Sequence, residues 1–179
     1  GGLVGSEMCI RDRFKKIREF FRVLGELRYL IPLMRYEFPS PDDNASLAHS
    51  FEETVTKFGS NNFIYFENEK WTYNQTNEAA NVLANKLIDD GVEHGDRVVL
   101  FMENRPNFII SILALNKIGA IGVLINTSLT GNPLIHCINS SDSKKCIVGA
   151  ELASSLEEVL GEVNVKNTSD IYWVKDGDN

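Results

Sequence analysis

The sequence predicts an α/β domain built on a parallel sheet, and three observations lead to this prediction. Residues 98–102 and 121–125 are apolar runs without polar alternation, which is typical of strands buried on both faces. Residues 108–118 lie between them and carry apolar side chains at helical spacing. Strand, helix and strand in this order indicate a right-handed βαβ unit with parallel strands.

The central helix of this unit has signals at both of its ends. Asn104 can cap it, Pro106 falls in the first turn where a missing N–H is tolerated, and Gly119 marks its end. Its apolar positions are Phe108, Ile109, Ile112, Leu113, Leu115 and Ile118. These signals separate the helix from both strands.

A helix and a hairpin are predicted first in this part of the chain. Residues 47–58 predict a helix that ends near Gly59, and residues 63–66 and 71–73 are aromatic-rich runs that predict a hairpin. The apolar face of the helix comprises Leu47, Phe51, Val55 and Phe58.

A long helix follows the hairpin. It begins at Thr72 or Asn74 and ends at Gly91. Its inward positions are Ala79, Ala80, Leu83, Ala84, Leu87 and Ile88. After the central unit we expect a helix at 133–140, a strand at 145–148, a helix at 150–160 and a strand at 171–174. This alternation predicts a partial doubly wound parallel sheet with flanking helices.

Residues 1–13 are interpreted as a scar rather than native sequence. Residues 3–12, LVGSEMCIRD, can be back-translated in one frame into the transposon adapter used to prepare sequencing libraries. The alternative is a genuine flexible terminus. In either case Cys9 is left out of the cysteine count.

Residues 14–35 predict an amphipathic basic helix. Large apolar residues recur every three or four positions, and most of the six basic residues fall on the other side. Such a helix lies in the interface of an anionic membrane or docks on the protein body. No run approaches the ~20 apolar residues that a span needs. The candidate membrane contacts are Phe14, Ile17, Phe20, Phe21 and Leu24.

Residues 36–46 contain Pro39 and Pro41 among polar residues and predict a linker.

Cys137 and Cys146 have no paired spacing, so neither a disulfide framework nor a zinc site is expected. A reduced, intracellular, cytoplasmic chain is the default. The net charge is -7 and the body lacks a basic patch, which argues against nucleic-acid binding.

Several motifs resemble the adenylate-forming, or AMP-binding, enzymes, and within them the branch of fatty acid transport proteins and very-long-chain acyl-CoA synthetases. The similarity covers about residues 45–160. The motifs are WTY at 71–73, GD at 95–96, MENRPNF at 102–108, KIGA at 117–120 and INTSLTGNPLIHCIN at 125–139. The last of these is the most specific to the branch. The resemblance identifies residues 47–179 as an incomplete amino-terminal AMP-binding domain.

The resemblance implies a ligase that uses ATP, Mg²⁺ and coenzyme A to activate a long-chain or very-long-chain fatty acid through an acyl-adenylate. The Ser/Thr/Gly-rich phosphate loop and the carboxy-terminal lysine of the family have no counterpart in these 179 residues. We therefore expect a fragment that binds none of these cofactors, holds no metal and contains no catalytic residue. Two alternatives stay open: an adenylate-forming ligase for another acyl or aryl acid, and a non-enzymatic membrane-associated module.

Three polar residues after the second strand of the unit are the candidates for a substrate pocket. Asn126, Thr127 and Ser128 follow a carboxyl strand end, where open parallel sheets bind ligands, but these residue types also form turns. Arg105 follows the first strand and could meet a phosphate or coenzyme A at the surface, but capping and a solvated salt link explain it as well, so no role is assigned to it. His136 and Cys137 are expected to pack on neighbours rather than bind a metal.

Overall fold

The computed structural model describes residues 46–165 and 167–175, together with Arg22 and Gly25. The predicted scar and most of the amphipathic helix and the linker lie outside the described residues. Arg22 and Gly25 are both helical and exposed, and Ser46 is the first residue of the continuous part. The amphipathic helix and its membrane contacts therefore stay predictions.

The described part alternates helices and strands as the sequence predicts. In chain order the elements are α1 (Leu47–Phe58), β1 (Asn62–Phe66), β2 (Glu69–Thr72), α2 (Tyr73–Asp89), β3 (Arg97–Phe101), α3 (Pro106–Lys117), β4 (Ile121–Leu124), α4 (Gly131–Ser140), β5 (Lys145–Gly149), α5 (Ala153–Val159) and β6 (Ile171–Val174). Short 3₁₀ helices precede α5 and β6, at Ala150–Leu152 and Thr168–Asp170. The predicted helix at 150–160 is thus divided into a 3₁₀ turn and α5.

The first helix is fixed at its start and along its inner face. The Ser46 hydroxyl accepts the His49 N–H at 3.1 Å, and the Ala48 N–H donates to Asn116 Oδ1 on α3 at 2.7 Å. These contacts satisfy two of the amide groups that a helix start leaves unpaired. Leu47 and Phe58 are exposed, so only the middle turns of the predicted apolar face are covered by other elements.

Strands β1 and β2 form the predicted antiparallel hairpin, as a sheet of their own. Three rings attach its base to α1, because Phe63 lies 5.1 Å from Phe51 and 4.6 Å from Tyr73 between ring centroids. Tyr73 was predicted in the hairpin, but it is the first residue of α2. The aromatic residues of the hairpin therefore serve as a packing surface.

Helix α2 begins with a capping box, which decides between the two predicted starts. Thr72 accepts the Gln75 N–H at 3.2 Å, and Gln75 Oε1 accepts the Thr72 N–H at 2.9 Å. Thr72 is therefore the N-cap. Gly91, with a φ of 82°, follows the helix end as predicted. Ile88 was predicted to face inward and is exposed.

Four strands form one parallel sheet in the order β4-β3-β5-β6. Val98 and Leu100 of β3 belong to an apolar cluster with residues of α2 and α3, while Val99 and Phe101 belong to a cluster with residues of α4 and α5. Helices therefore cover both faces of the sheet, and β3 lies in the core. The predicted fold class is confirmed.

Strand β4 is an edge strand, which corrects one prediction. Among the strands that the structure describes it pairs only with β3, and Ile121 and Leu124 are 50% and 56% exposed. The prediction of burial on both faces was therefore wrong for β4.

The predicted cap of α3 is also wrong, since Arg105 occupies the N-cap position and makes no side-chain cap hydrogen bond. Pro106 and Gly119 lie in the first turn and after the end of α3, as expected.

Candidate functional site

The sheet has a topological switch point between β3 and β5. The chain passes from β3 to β4 on one side and then to β5 on the other side of β3. Ligands of open parallel sheets bind outside the carboxyl ends of the strands at such a point, because the connections there leave in opposite directions and open a crevice. This end of the sheet is the expected place for a ligand.

A cavity of about 640 Å³ opens at the switch point. This volume lies in the range of roughly 300–1,000 Å³ that is usual for small-molecule sites. Its wall includes Phe66 and Trp71 of the hairpin, Arg105 after β3, Glu151 after β5 and Lys175 after β6. The cavity therefore joins the carboxyl end of the sheet to the hairpin.

An ion pair between a buried arginine and a partly exposed glutamate forms part of this wall. Arg105 Nη2 pairs with Glu151 Oε2, and the two side chains are 7% and 22% exposed. The other carboxylate oxygen of Glu151 accepts the backbone N–H of Glu103 at 2.7 Å. Glu151 thus connects the loop after β3 to the end of β5. The sequence-based interpretation of Arg105 as a cap or a solvated salt link is wrong, because its side chain is buried and bonded across the switch point.

Gly149 makes room for this ion pair. A Cβ atom at this position would overlap Arg105 Nη2 and both carboxylate oxygens of Glu151. Gly149 has an ordinary extended backbone with a φ of -72°, so glycine is not needed for its conformation and matters only through the space that it leaves for the two side chains. The absence of a side chain at the last residue of β5 therefore leaves space for the Arg105–Glu151 pair.

The cavity wall carries an excess of negative charge. Glu67, Glu69 and Glu103 line it in addition to the Arg105–Glu151 pair, with Lys175 as the second cation. Trp71 Nε1–H donates to Glu69 Oε2 at 2.9 Å, which holds one of these carboxylates at the wall. Repulsion from the carboxylates disfavours a polyanion such as the triphosphate of ATP. The charge of the described part of this wall is therefore unfavourable for the triphosphate of ATP.

The amino end of the sheet is held by ion pairs instead. Lys144 Nζ lies 2.8 Å from Asp96 Oδ1, and Lys145 Nζ lies 2.7 Å from Asp170 Oδ1. A hydrogen bond from Lys144, supported by the Glu93 N–H, lowers the pKa of the Asp96 carboxyl. These pairs tie the loops before β3, β5 and β6 together. One end of the sheet is thus clamped and the other contains the cavity.

The structure places the three predicted pocket residues away from this cavity wall. Asn126, Thr127 and Ser128 follow β4, and none of them lines the cavity. Asn126 Oδ1 accepts the Ser128 N–H at 2.9 Å, which is the hydrogen bond of an Asx turn. This bond shows the turn-forming role that was weighed as their alternative. Their contact with a substrate stays a prediction.

The structure supports packing on neighbours for Cys137, whereas the same expectation for His136 is wrong because its side chain is exposed. Cys146 is buried, and desolvation raises its thiol pKa to about 12. Cys137 packs against the cluster on the α4 side, and His136 is exposed. Within residues 46–165 and 167–175, no group of three His, Cys, Asp or Glu side chains could hold a metal ion.

A parallel sheet covered by helices on both faces, with a cavity at the carboxyl ends of its strands, defines an open α/β domain of the ligand-binding type. The family model described as AMP-binding enzyme matches residues 51–178. The chain therefore belongs to the AMP-binding enzyme family, and the resemblance found in its motifs is confirmed.

Relatives and solved structures agree with this assignment. The chain is 29% identical over 143 residues to long-chain fatty acid transport protein 6 of Mus musculus, covering 79% of this chain and 23% of that protein. It is 30% identical over 136 residues to the medium/long-chain-fatty-acid–CoA ligase FadD6 of Mycobacterium tuberculosis, and the match covers 76% of this chain and 23% of that ligase. The anthranilate CoA ligase AuaEII, solved with anthranoyl-AMP, has the same fold with a TM-score of 0.67 at 21% identity, over 73% of this chain and 25% of that one. The chain thus spans about a quarter of the length of these relatives.

The described helices give no membrane-spanning segment. None of the helices in this part of the chain has both the length and the apolar character needed to cross a bilayer.

Proposed function

We propose that this chain is the amino-terminal portion of an ATP-dependent ligase that joins long-chain or very-long-chain fatty acids to coenzyme A. The observation that carries the proposal is the family match over residues 51–178. Relatives named as a fatty acid transport protein and as a medium/long-chain fatty acid–CoA ligase support the fatty acid as substrate. The reaction activates the fatty acid carboxylate as an acyl-adenylate with release of diphosphate, and the thiol of coenzyme A then displaces AMP.

We assign the catalytic groups to parts of the parent protein beyond the residues described. Transfer to an α-phosphate needs positioned donors and a cation that offset the developing negative charge. The cavity wall instead presents four carboxylates against Arg105 and Lys175, and Arg105 is already neutralised by Glu151. We therefore place the binding of ATP and Mg²⁺ outside this cavity.

This chain alone is expected to be inactive. Diphosphate release would be measured with oleate, ATP, Mg²⁺ and coenzyme A, with the Mycobacterium tuberculosis ligase as positive control. No release above the enzyme-free blank is expected. A signal proportional to the concentration of this chain would overturn the assignment of catalysis to other parts of the parent.

Substrate class is tested on the longest protein that the gene encodes. Rates of acyl-CoA formation would be compared for fatty acids of increasing chain length and for aryl acids such as anthranilate. A preference for long or very long chains supports the proposal. A preference for aryl or short acids would favour another adenylate-forming ligase, and no acyl-CoA with any acid would favour a non-enzymatic module.

We also propose peripheral membrane contact through residues 14–31. The support is the sequence pattern, with Phe20, Phe21 and Leu24 opposite basic side chains. Flotation of the chain with anionic and neutral vesicles at low and high salt tests this. Binding to anionic vesicles that weakens with salt and with the substitution Phe20→Glu is expected. Absence of binding to anionic vesicles at low salt would refute the contact.

A further inference from the structure

We draw no further inference here: the strongest candidate, the open edge of β4 where Ile121 and Leu124 are exposed beside a pocket of about 140 Å³, has nothing in the structure to show what covers it.

Discussion

Replacing Glu151 by Gln would keep the shape of the side chain and remove its negative charge. The Arg105 side chain is only 7% exposed, so its positive charge would lose the carboxylate with which it pairs while it stays largely shielded from solvent. Removing one partner of a fully buried pair costs about 3–5 kcal/mol. Glu151 is 22% exposed, so water replaces part of the lost interaction, and a Gln oxygen can still accept the Glu103 N–H. We expect the free energy of unfolding to fall by about 2 kcal/mol.

Urea denaturation followed by tryptophan fluorescence measures this loss, since Trp71 and Trp173 both lie in the described domain. Glu151→Gln, Arg105→Gln and the double variant form a double-mutant cycle, with an expected coupling of about 2 kcal/mol. The matched control is Glu53→Gln, because Glu53 pairs with His49 at 3.7 Å on the exposed side of α1 and should change stability by less than about 0.5 kcal/mol. If the two single effects simply add to within about 0.5 kcal/mol, the pair contributes no coupled stability and the reasoning is wrong.

Three further outcomes are expected. Gly149→Ala should lower the free energy of unfolding by about 1–3 kcal/mol, because the new methyl group displaces the ion pair. Gly161→Ala, which has open space around it, is the control. The pKa of Asp96 lies below its ordinary 3.8, so the stability that this carboxylate contributes at neutral pH is lost as the pH falls through the folded-state pKa. Urea titrations at several acidic pH values should therefore show a weaker pH dependence below about pH 4 in Asp96→Asn. Leu124→Lys should lower aggregation measured by light scattering, because charge on an edge strand opposes pairing between molecules, whereas Val82→Lys on α2 should not.

Each of these expectations has an outcome that contradicts it. Equal stability of the Gly149→Ala and Gly161→Ala variants would mean that the pair moves aside without loss. If the free energy of unfolding depends on acidic pH in the same way in Asp96→Asn as in the unchanged protein, the Asp96 carboxylate does not contribute to the loss of stability in acid. Equal aggregation of the Leu124→Lys and Val82→Lys variants would mean that the edge of β4 is not the surface that associates.

The sequence predicted the elements well where a local pattern decides them. The strand, helix and strand of the βαβ unit appear within one or two residues of their expected bounds, and β3 and β4 are parallel. Thr72 could not be separated from Asn74 by pattern alone, since both are good N-caps and only the reciprocal bonds with Gln75 decide. Helix bounds depend on such geometry, which explains the one-residue error at Asn104.

Properties that depend on the order of the strands were not accessible from the sequence. The apolar residues of β4 resemble those of β3, yet β4 lies at an edge because the next strand along the chain pairs on the other side of β3. The Arg105–Glu151 pair was missed because its members are 46 residues apart and meet only when β5 pairs with β3. A signal was present all the same, because both residues follow carboxyl strand ends, as do Asn126 and Ser128.

The bare α-carbon of Gly149 carries a consequence for how this family can vary. An amino acid with a Cβ at this position would require the ends of the Arg105 and Glu151 side chains to move aside. We therefore expect natural variants that replace Gly149 to differ at Arg105 or Glu151 more often than variants that keep it, although these three positions lie far apart along the chain.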